Sequence, residues 1–271
     1  MAKVKRQKHE QGEGTCVYCG YEGPITREHV FARRLFLVKD KEMVTVPTCE
    51  TCNQKKELGD KDLHLYVTMQ IGGSQHPDAL EHAKKIMEKS NVRTKNWLRR
   101  ALANAEDVSL VTDSGIEVGQ AIRFPFNDDR IIPTLEMSIR GLHFHETGTM
   151  LPPDYPIYVY EIPWSRAPDY VVSLSELIPF NPTVKGNHVA WWKSFDIDDM
   201  PPETKSWMLC FNNWVLYDGS TGVLAVKLRA EHQKMVEDNA ERVAFEESVR
   251  VGPPKVRVPN DPKGRPLIPP Q

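Results

Sequence analysis

The sequence predicts an α+β protein: a small metal-stabilised N-terminal module, a helical connector, and an α+β C-terminal domain with a mainly antiparallel sheet. Three observations predict it. Four of the five cysteines fall into two C-x-x-C pairs, Cys16/Cys19 and Cys49/Cys52. Apolar residues then recur at helical spacing between residues 59 and 105. From residue 106 onward, short runs rich in Val, Ile, Tyr, Phe and Trp alternate with Asn, Asp, Gly and Ser turns.

Each element follows from its residues. Residues 1–14 are a flexible basic lead-in, carrying Lys3, Lys5, Arg6 and Lys8. Residues 15–58 hold both cysteine pairs and are too few to build a large core, so a bound metal would have to stabilise them. The connector, residues 59–105, has three helical stretches. "DKDLHLYVTMQI" spaces Leu63, Val67 and Ile71 by four. "HPDALEHAKKIMEKS" repeats Leu80, Ala83, Ile86 and Met87. "TKNWLRRALANA" gathers Trp97, Leu98, Ala101 and Leu102.

Residues 106–250 form the α+β recognition or partner domain. "DVSLVT" and "EVGQAIRF" flank the turn "DSG" and read as a hairpin. "NDDRIIPTLEMSIRGL" places Ile131, Leu135, Ile139 and Leu142 on one helix face, with Pro133 in the first turn. "PIYVYEIP", "NHVAWWKSF", "SWMLCFN", "WVLYDG" and "GVLAVKL" read as strands, and "RAEHQKMVEDNAERVAFEESV" as a closing helix. Residues 251–271 are a Pro-rich tail.

Composition narrows the function classes. The chain has 271 residues, 40% hydrophobic and 27% charged, the balance of an ordinary folded protein. No apolar run approaches the ~18 residues of a membrane span, and the N-terminus lacks the apolar core of a secretory signal, so the expected location is cytoplasmic. A net charge of −2 excludes a general polycation. Binding to nucleic acid would rest on local patches: the lead-in, "VRTKNWLRR" with Arg93, Lys95, Arg99 and Arg100, and the tail with Lys255, Arg257, Lys263 and Arg265.

The cysteine pairs carry the strongest signal. A C-x-x-C turn aims two sulfurs at one point, and two such turns supply the four ligands of structural zinc. A redox dithiol is the other reading of a single C-x-x-C. Four thiolates would complete the shell, so this zinc would be structural. Cys210 reads as a buried core thiol. Between the pairs lies Glu28-His29, and Asn53 follows the last cysteine directly. An imidazole can take a proton from water near neutral pH. A carboxylate and an amide carbonyl are oxygen donors for a hard divalent cation. Phosphodiester hydrolysis needs that combination.

The pattern "C-x-x-C … EHV … C-x-x-C-N-x-x-K", from Cys16 to Lys56, resembles the HNH endonucleases that carry a four-cysteine zinc site, with a layout similar to endonuclease VII. The resemblance covers residues 16–56 and implies a ββα-metal nuclease fold. It implies structural Zn²⁺ on Cys16, Cys19, Cys49 and Cys52. It also implies His29 as general base, and catalytic Mg²⁺ or Mn²⁺ held by Glu28 and Asn53. The helix would begin near Glu50, and the products would carry a 5′-phosphate and a 3′-hydroxyl. Two departures stand out: Glu28 occupies a position where Asp is common, and no Asn lies between His29 and Cys52, leaving Thr45 or Thr48 to replace it.

The expected partner is DNA, with RNA not excluded. Arg33, Arg34, Lys55 and Lys56 are candidate phosphate contacts, with solvated side chains as the plainer alternative. Double-strand cutting from one site would favour a homodimer, and the C-terminal domain could bind a protein partner. His64 reads as a helix-surface residue. His143, His145 and Glu146 read as packing or helix-end residues, and most of Trp191, Trp192, Trp207 and Trp214 as core, with one of the adjacent pair facing out. Two other classes remain open: a non-catalytic zinc-knuckle nucleic-acid-binding protein, and a scaffold whose C-terminal domain does the work.

Overall fold

The computed structural model describes residues 12–36, 43–69, 105–112, 114–123, 129–162, 181–185, 189–212, 215–249 and 255–257, with residues 81, 83–85, 88, 99 and 103 between them. Residues 1–11 of the basic lead-in, most of the second and third connector helices, Trp214 and most of the Pro-rich tail lie outside these residues, while residues 12–14 of the expected flexible lead-in belong to the first strand. So do Arg93, Lys95, Arg100, Lys263 and Arg265.

The architecture is mixed α and β with mainly antiparallel sheets. The chain begins with β1 (Gly12–Thr15) and β2 (Glu22–His29), passes a short 3₁₀ turn (Arg33–Leu35), and continues into β3 (Thr45–Thr48) and α1 (Glu50–Met69). These strands form a sheet of order β1-β2-β3. A hairpin follows, β4 (Glu106–Val111) and β5 (Glu117–Arg123), and then α2 (Ile131–Thr147). Five strands come next: β6 (Ile157–Ile162), β7 (Thr183–Lys185), β8 (Ala190–Asp196), β9 (Lys205–Phe211) and β10 (Val215–Thr221). They make an antiparallel sheet of order β6-β10-β9-β8-β7. The chain ends in α3 (Gly222–Val249) and β11 (Lys255–Arg257). β11 adds to the hairpin parallel to β4, the one parallel pairing among the described strands.

The core is organised by α2. Ile131, Leu135, Ile139 and Leu142, the stripe read from the sequence, are all fully buried. Burying each contributes roughly 1.5–3 kcal/mol. They pack in one apolar cluster with Val30 just after β2, Val46 from β3, Leu63 and Val67 from α1, and Val159, Trp192, Trp207, Leu209 and Tyr217 from the large sheet. The N-terminal strands therefore share their hydrophobic core with the C-terminal sheet. α1 likewise runs unbroken through residue 58, the expected end of the N-terminal module.

Two close approaches fix this arrangement. A Cβ at Gly141 of α2 would lie 2.7 Å from Val30, so only glycine lets the strand come so near. The Ser138 hydroxyl donates to the Val30 carbonyl at 3.1 Å. At the α1–α2 crossing, a Cβ at Gly59 would lie 1.8 Å from Thr134 Oγ1 and 2.6 Å from the Arg130 carbonyl. Asn212, at the end of β9, donates to the Val67 carbonyl at 3.1 Å and ties the end of α1 to the large sheet.

Two expectations are corrected. "GVLAVKL" is the start of α3, not a strand. Its valines suggested a strand, but Gly222 turns the chain with φ 67° and Ala225 docks as a buried contact, leaving Val223 and Val226 exposed. Trp191 and Trp192 are both buried, each in its own apolar cluster. Trp192 joins the main core. Trp191 joins Ile162, Met208, Cys210 and Leu216 in a second cluster on the other face. Cys210 is thus a core thiol, as read from the sequence.

Among the described residues, no helix is long and apolar enough to cross a membrane. Gly59→Ala tests the α1–α2 crossing: the extra methyl must push against backbone. Urea unfolding is expected to show a loss of about 1–3 kcal/mol, while Leu58→Ala, at a partly exposed neighbour, should cost far less.

Candidate metal centre

The two C-x-x-C turns are brought together by strand pairing. Cys16 and Cys19 lie in the turn between β1 and β2, where the Cys16 amide bonds the Tyr21 carbonyl and the Gly20 amide bonds the Cys16 carbonyl, each at 2.9 Å. Gly20 takes the left-handed φ of 71° that closes this turn. Cys49 joins β3 to α1, and Cys52 lies in the first turn of α1. The Val17 amide donates to the Pro47 carbonyl at 3.0 Å, which pins one turn to the other.

All four sulfurs lie within 4.8 Å of one another, and Cys19 Sγ is 3.7 Å from Cys49 Sγ. Zinc–sulfur bonds of ~2.3 Å in a tetrahedron imply sulfur–sulfur edges of about 3.8 Å. The quartet therefore fits a zinc ion. Among the described residues it is the group of metal-ligating side chains that converges in this way.

Its electrostatics point the same way. Burial pushes the Cys16 thiol up, but backbone N–H groups at Cys49, Cys19 and Tyr18, with the Cys19 side chain, bring it down to about 7. Cys52 is pushed well above the ordinary thiol range by burial and by the other three cysteines. Cys19 is also raised, first by burial. One sulfur is ready to ionise and its neighbours resist a second negative charge. A dication removes that conflict.

The second group is built on the same two elements. Glu28 and His29 end β2, opposite Val46 and Thr45 of β3. Both are half-buried, and His29 Nδ1 is shielded from solvent. Asn53 sits in the first turn of α1, its amide bonding the Cys49 carbonyl at 3.0 Å, and its side-chain Nδ2 donates to Thr26 Oγ1 of β2 at 3.4 Å. Thr26 and Glu28 are two apart on the strand and so share one face. With Nδ2 turned to Thr26, the atom that Asn53 offers an ion is its carbonyl Oδ1.

Glu28 faces charge from α1. Burial pushes its carboxyl up to about 7; the Lys56 ammonium opposes this, while Asp60 and Glu57 add to it. A carboxyl so placed gains from a nearby cation, which favours its ionised form.

The candidate phosphate contacts separate. Arg33 and Arg34 are exposed on the 3₁₀ turn just after His29, and Lys55 is exposed on α1. Lys56 is corrected: it is fully buried, with Nζ 2.8 and 2.9 Å from the two carboxylate oxygens of Asp60. Its ammonium is withdrawn from any surface ligand. Of the two threonines considered as replacements for a middle Asn, Thr45 stands opposite His29. Thr48 is spent on the sulfur cluster, 3.9 Å from Cys16 Sγ.

The other candidates lie elsewhere. His64 is on α1 about 16 Å along the axis from Asn53, given 1.5 Å per residue. His143 is buried beside Trp207, His145 is exposed, and Glu146 accepts from Trp192 Nε1 at 3.0 Å and Ser194 Oγ at 2.6 Å. That is a helix-to-sheet tie. Sequence reasoning missed Thr26, Asp60 and the buried Tyr18. The i, i+4 spacing of Lys56 and Asp60 was a visible signal, but helix surfaces are full of such pairs.

The chain matches no family model, no curated protein and no solved structure.

Two outcomes are expected. Cys52→Ser should lower bound zinc, measured by metal analysis, from about one per chain toward zero, with loss of protease resistance in residues 12–69. Glu28→Gln should raise the stability of zinc-loaded protein free of other divalent ions. The folded pKa of Glu28 lies above the unfolded 4.5, so the unfolded chain loses its proton first and stability falls as pH rises from about 4.5 to about 7. The variant should therefore melt a few degrees higher than the parent above neutral pH and show no gain near pH 4.

Proposed function

We propose that this protein is a metal-dependent endonuclease of the HNH type that hydrolyses phosphodiester bonds in DNA. The observation that carries the reading is the junction of β2 with α1. A strand ending in Glu28-His29 meets Asn53 through Thr26, on a helix that starts at the sulfur quartet. The resemblance of residues 16–56 to HNH endonucleases names an acid, an imidazole and an amide, and here they belong to two adjoining elements.

In this reading the four cysteines hold structural zinc, which anchors strand to helix and takes no part in the reaction. His29 accepts a proton from the attacking water. Glu28 and Asn53 hold Mg²⁺ or Mn²⁺, which would neutralise charge on the scissile phosphate and the leaving oxygen. Arg33 and Arg34, exposed on the turn just after His29, would touch flanking phosphates. The large sheet and its helices support the module from behind and are the candidates for recognising the substrate's shape or a partner protein.

The test is cleavage of supercoiled, linear, branched and single-stranded DNA, and of RNA, with Mg²⁺ or Mn²⁺. The parent should cut at least one DNA substrate, and His29→Ala should lower the rate by about 100-fold to 10,000-fold without loss of zinc. If every substrate stays intact with both metals, the enzyme reading fails. Salt-sensitive binding that ignores added Mg²⁺ would then favour a non-catalytic zinc-knuckle protein.

A further inference from the structure

The turn that carries Cys16 and Cys19 is met at two points by residues from the C-terminal half. Tyr18, within the turn and buried, reaches α2: a Cβ at Gly141 would lie 3.5 Å from its hydroxyl. Gly20, directly after Cys19, meets the loop that follows α2: a Cβ there would lie 3.3 Å from Pro153 Cγ. This second contact adjoins the open side of the quartet. Cys16 and Cys49 are buried and Cys52 is half-buried, whereas Cys19 is exposed.

The loop, residues 151–156, reads "LPPDYP". Three of its six residues are prolines, which have no amide hydrogen, so it is poorly suited to a strand ladder and its carbonyls need donors from elsewhere. Arg140, next to Gly141 on α2, supplies them. Its Nη1 donates to the Pro152 carbonyl at 2.6 Å and to that of Leu151 at 3.4 Å. Its Nη2 donates to the carbonyls of Pro153 at 3.0 Å and Tyr155 at 2.8 Å. A planar guanidinium can serve several carbonyls at once with its fixed fork of donors; an ammonium on a flexible stem cannot hold that geometry. Leu151 is anchored in the main core, and the Tyr155 amide bonds the Pro152 carbonyl at 2.9 Å. Pro153 is exposed, yet its backbone is held in place beside Gly20. Adjacent residues of one helix thus grip one cysteine turn, Gly141 directly and Arg140 through the loop.

We propose that Arg140 and Pro153 form a clasp over the Cys16–Cys19 turn that slows release of zinc from the quartet. Cys19 is the ligand a chelator reaches first, and opening the turn there moves Gly20 against Pro153. The loop must give way before the metal can leave. The inference rests on zinc at the four cysteines and goes beyond the nuclease reading, since it concerns retention of the metal and not cleavage. It also makes metal loading and order in the loop two sides of one linkage: zinc that steadies the turn steadies the loop, and a loosened loop frees zinc.

The experiment follows zinc transfer to an excess of chromogenic chelator, well below the melting temperature, from the full-length zinc-loaded parent, Pro153→Ala and Arg140→Lys. Pro153→Ala removes the ring at an exposed position, where folding is at little risk. Arg140→Lys keeps the charge and loses the fork. Each variant should start with the parent's zinc content and circular dichroism, and release zinc about fivefold or more faster. In the parent, removing zinc should speed hydrogen exchange of the Tyr155 amide by about tenfold or more. Zinc release from Pro153→Ala within about twofold of the parent overturns the clasp, whatever Arg140→Lys does. Exchange at Tyr155 that ignores zinc overturns it too, and a parent that holds no zinc overturns the metal assignment beneath it. None of these readouts depends on DNA cleavage, so the clasp and the nuclease reading fail separately.

Discussion

Four sulfur atoms converging within 4.8 Å are the constraint on which the N-terminal half depends. They come from two places far apart in the chain: the β1–β2 turn and the junction of β3 with α1. Cys16 ionises readily while Cys19 and Cys52 resist a further negative charge, so the cluster has reason to take up a dication. Once it is closed, the start of α1 is fixed against the strands, and Asn53 comes to Thr26.

The clamp does not act alone. α2 lies between the small sheet and the large one, and its buried stripe belongs to a core shared by both. Gly141 admits Val30 and Gly59 admits α2, so the strand carrying Glu28 and the helix carrying Asn53 both rest against one helix. This gives the C-terminal residues a structural part in the candidate site. It also explains why Lys56 and Asp60 are buried: the face of α1 that turns toward β2 is close to the α1–α2 crossing. A charged pair in that place is costly, since its desolvation offsets most of its attraction.

Much of the candidate site was legible in the sequence because its information is local. A C-x-x-C turn declares its own geometry, Glu28 and His29 are adjacent, and Asn53 follows a cysteine, so each is picked out by its immediate neighbours. The stripe of α2 was legible for the same reason: helical periodicity repeats within a few residues. The burial of Lys56 was not, since the same i, i+4 pair on a surface would read identically. "GVLAVKL" misled because its valines favour a strand locally, whereas docking of Ala225 and the turn at Gly222 made it helical.

By itself, the sequence determined the cysteine quartet, the acid–imidazole–amide set and the succession of most strands and helices, because each rests on residue type and short-range spacing. Tertiary structure alone decided that the N-terminal strands share a core with the large sheet. It also decided that both Trp191 and Trp192 are buried and that Lys56 turns inward to Asp60. Those outcomes depend on which surfaces meet, and contacts between residues remote in the chain leave no fixed spacing in it.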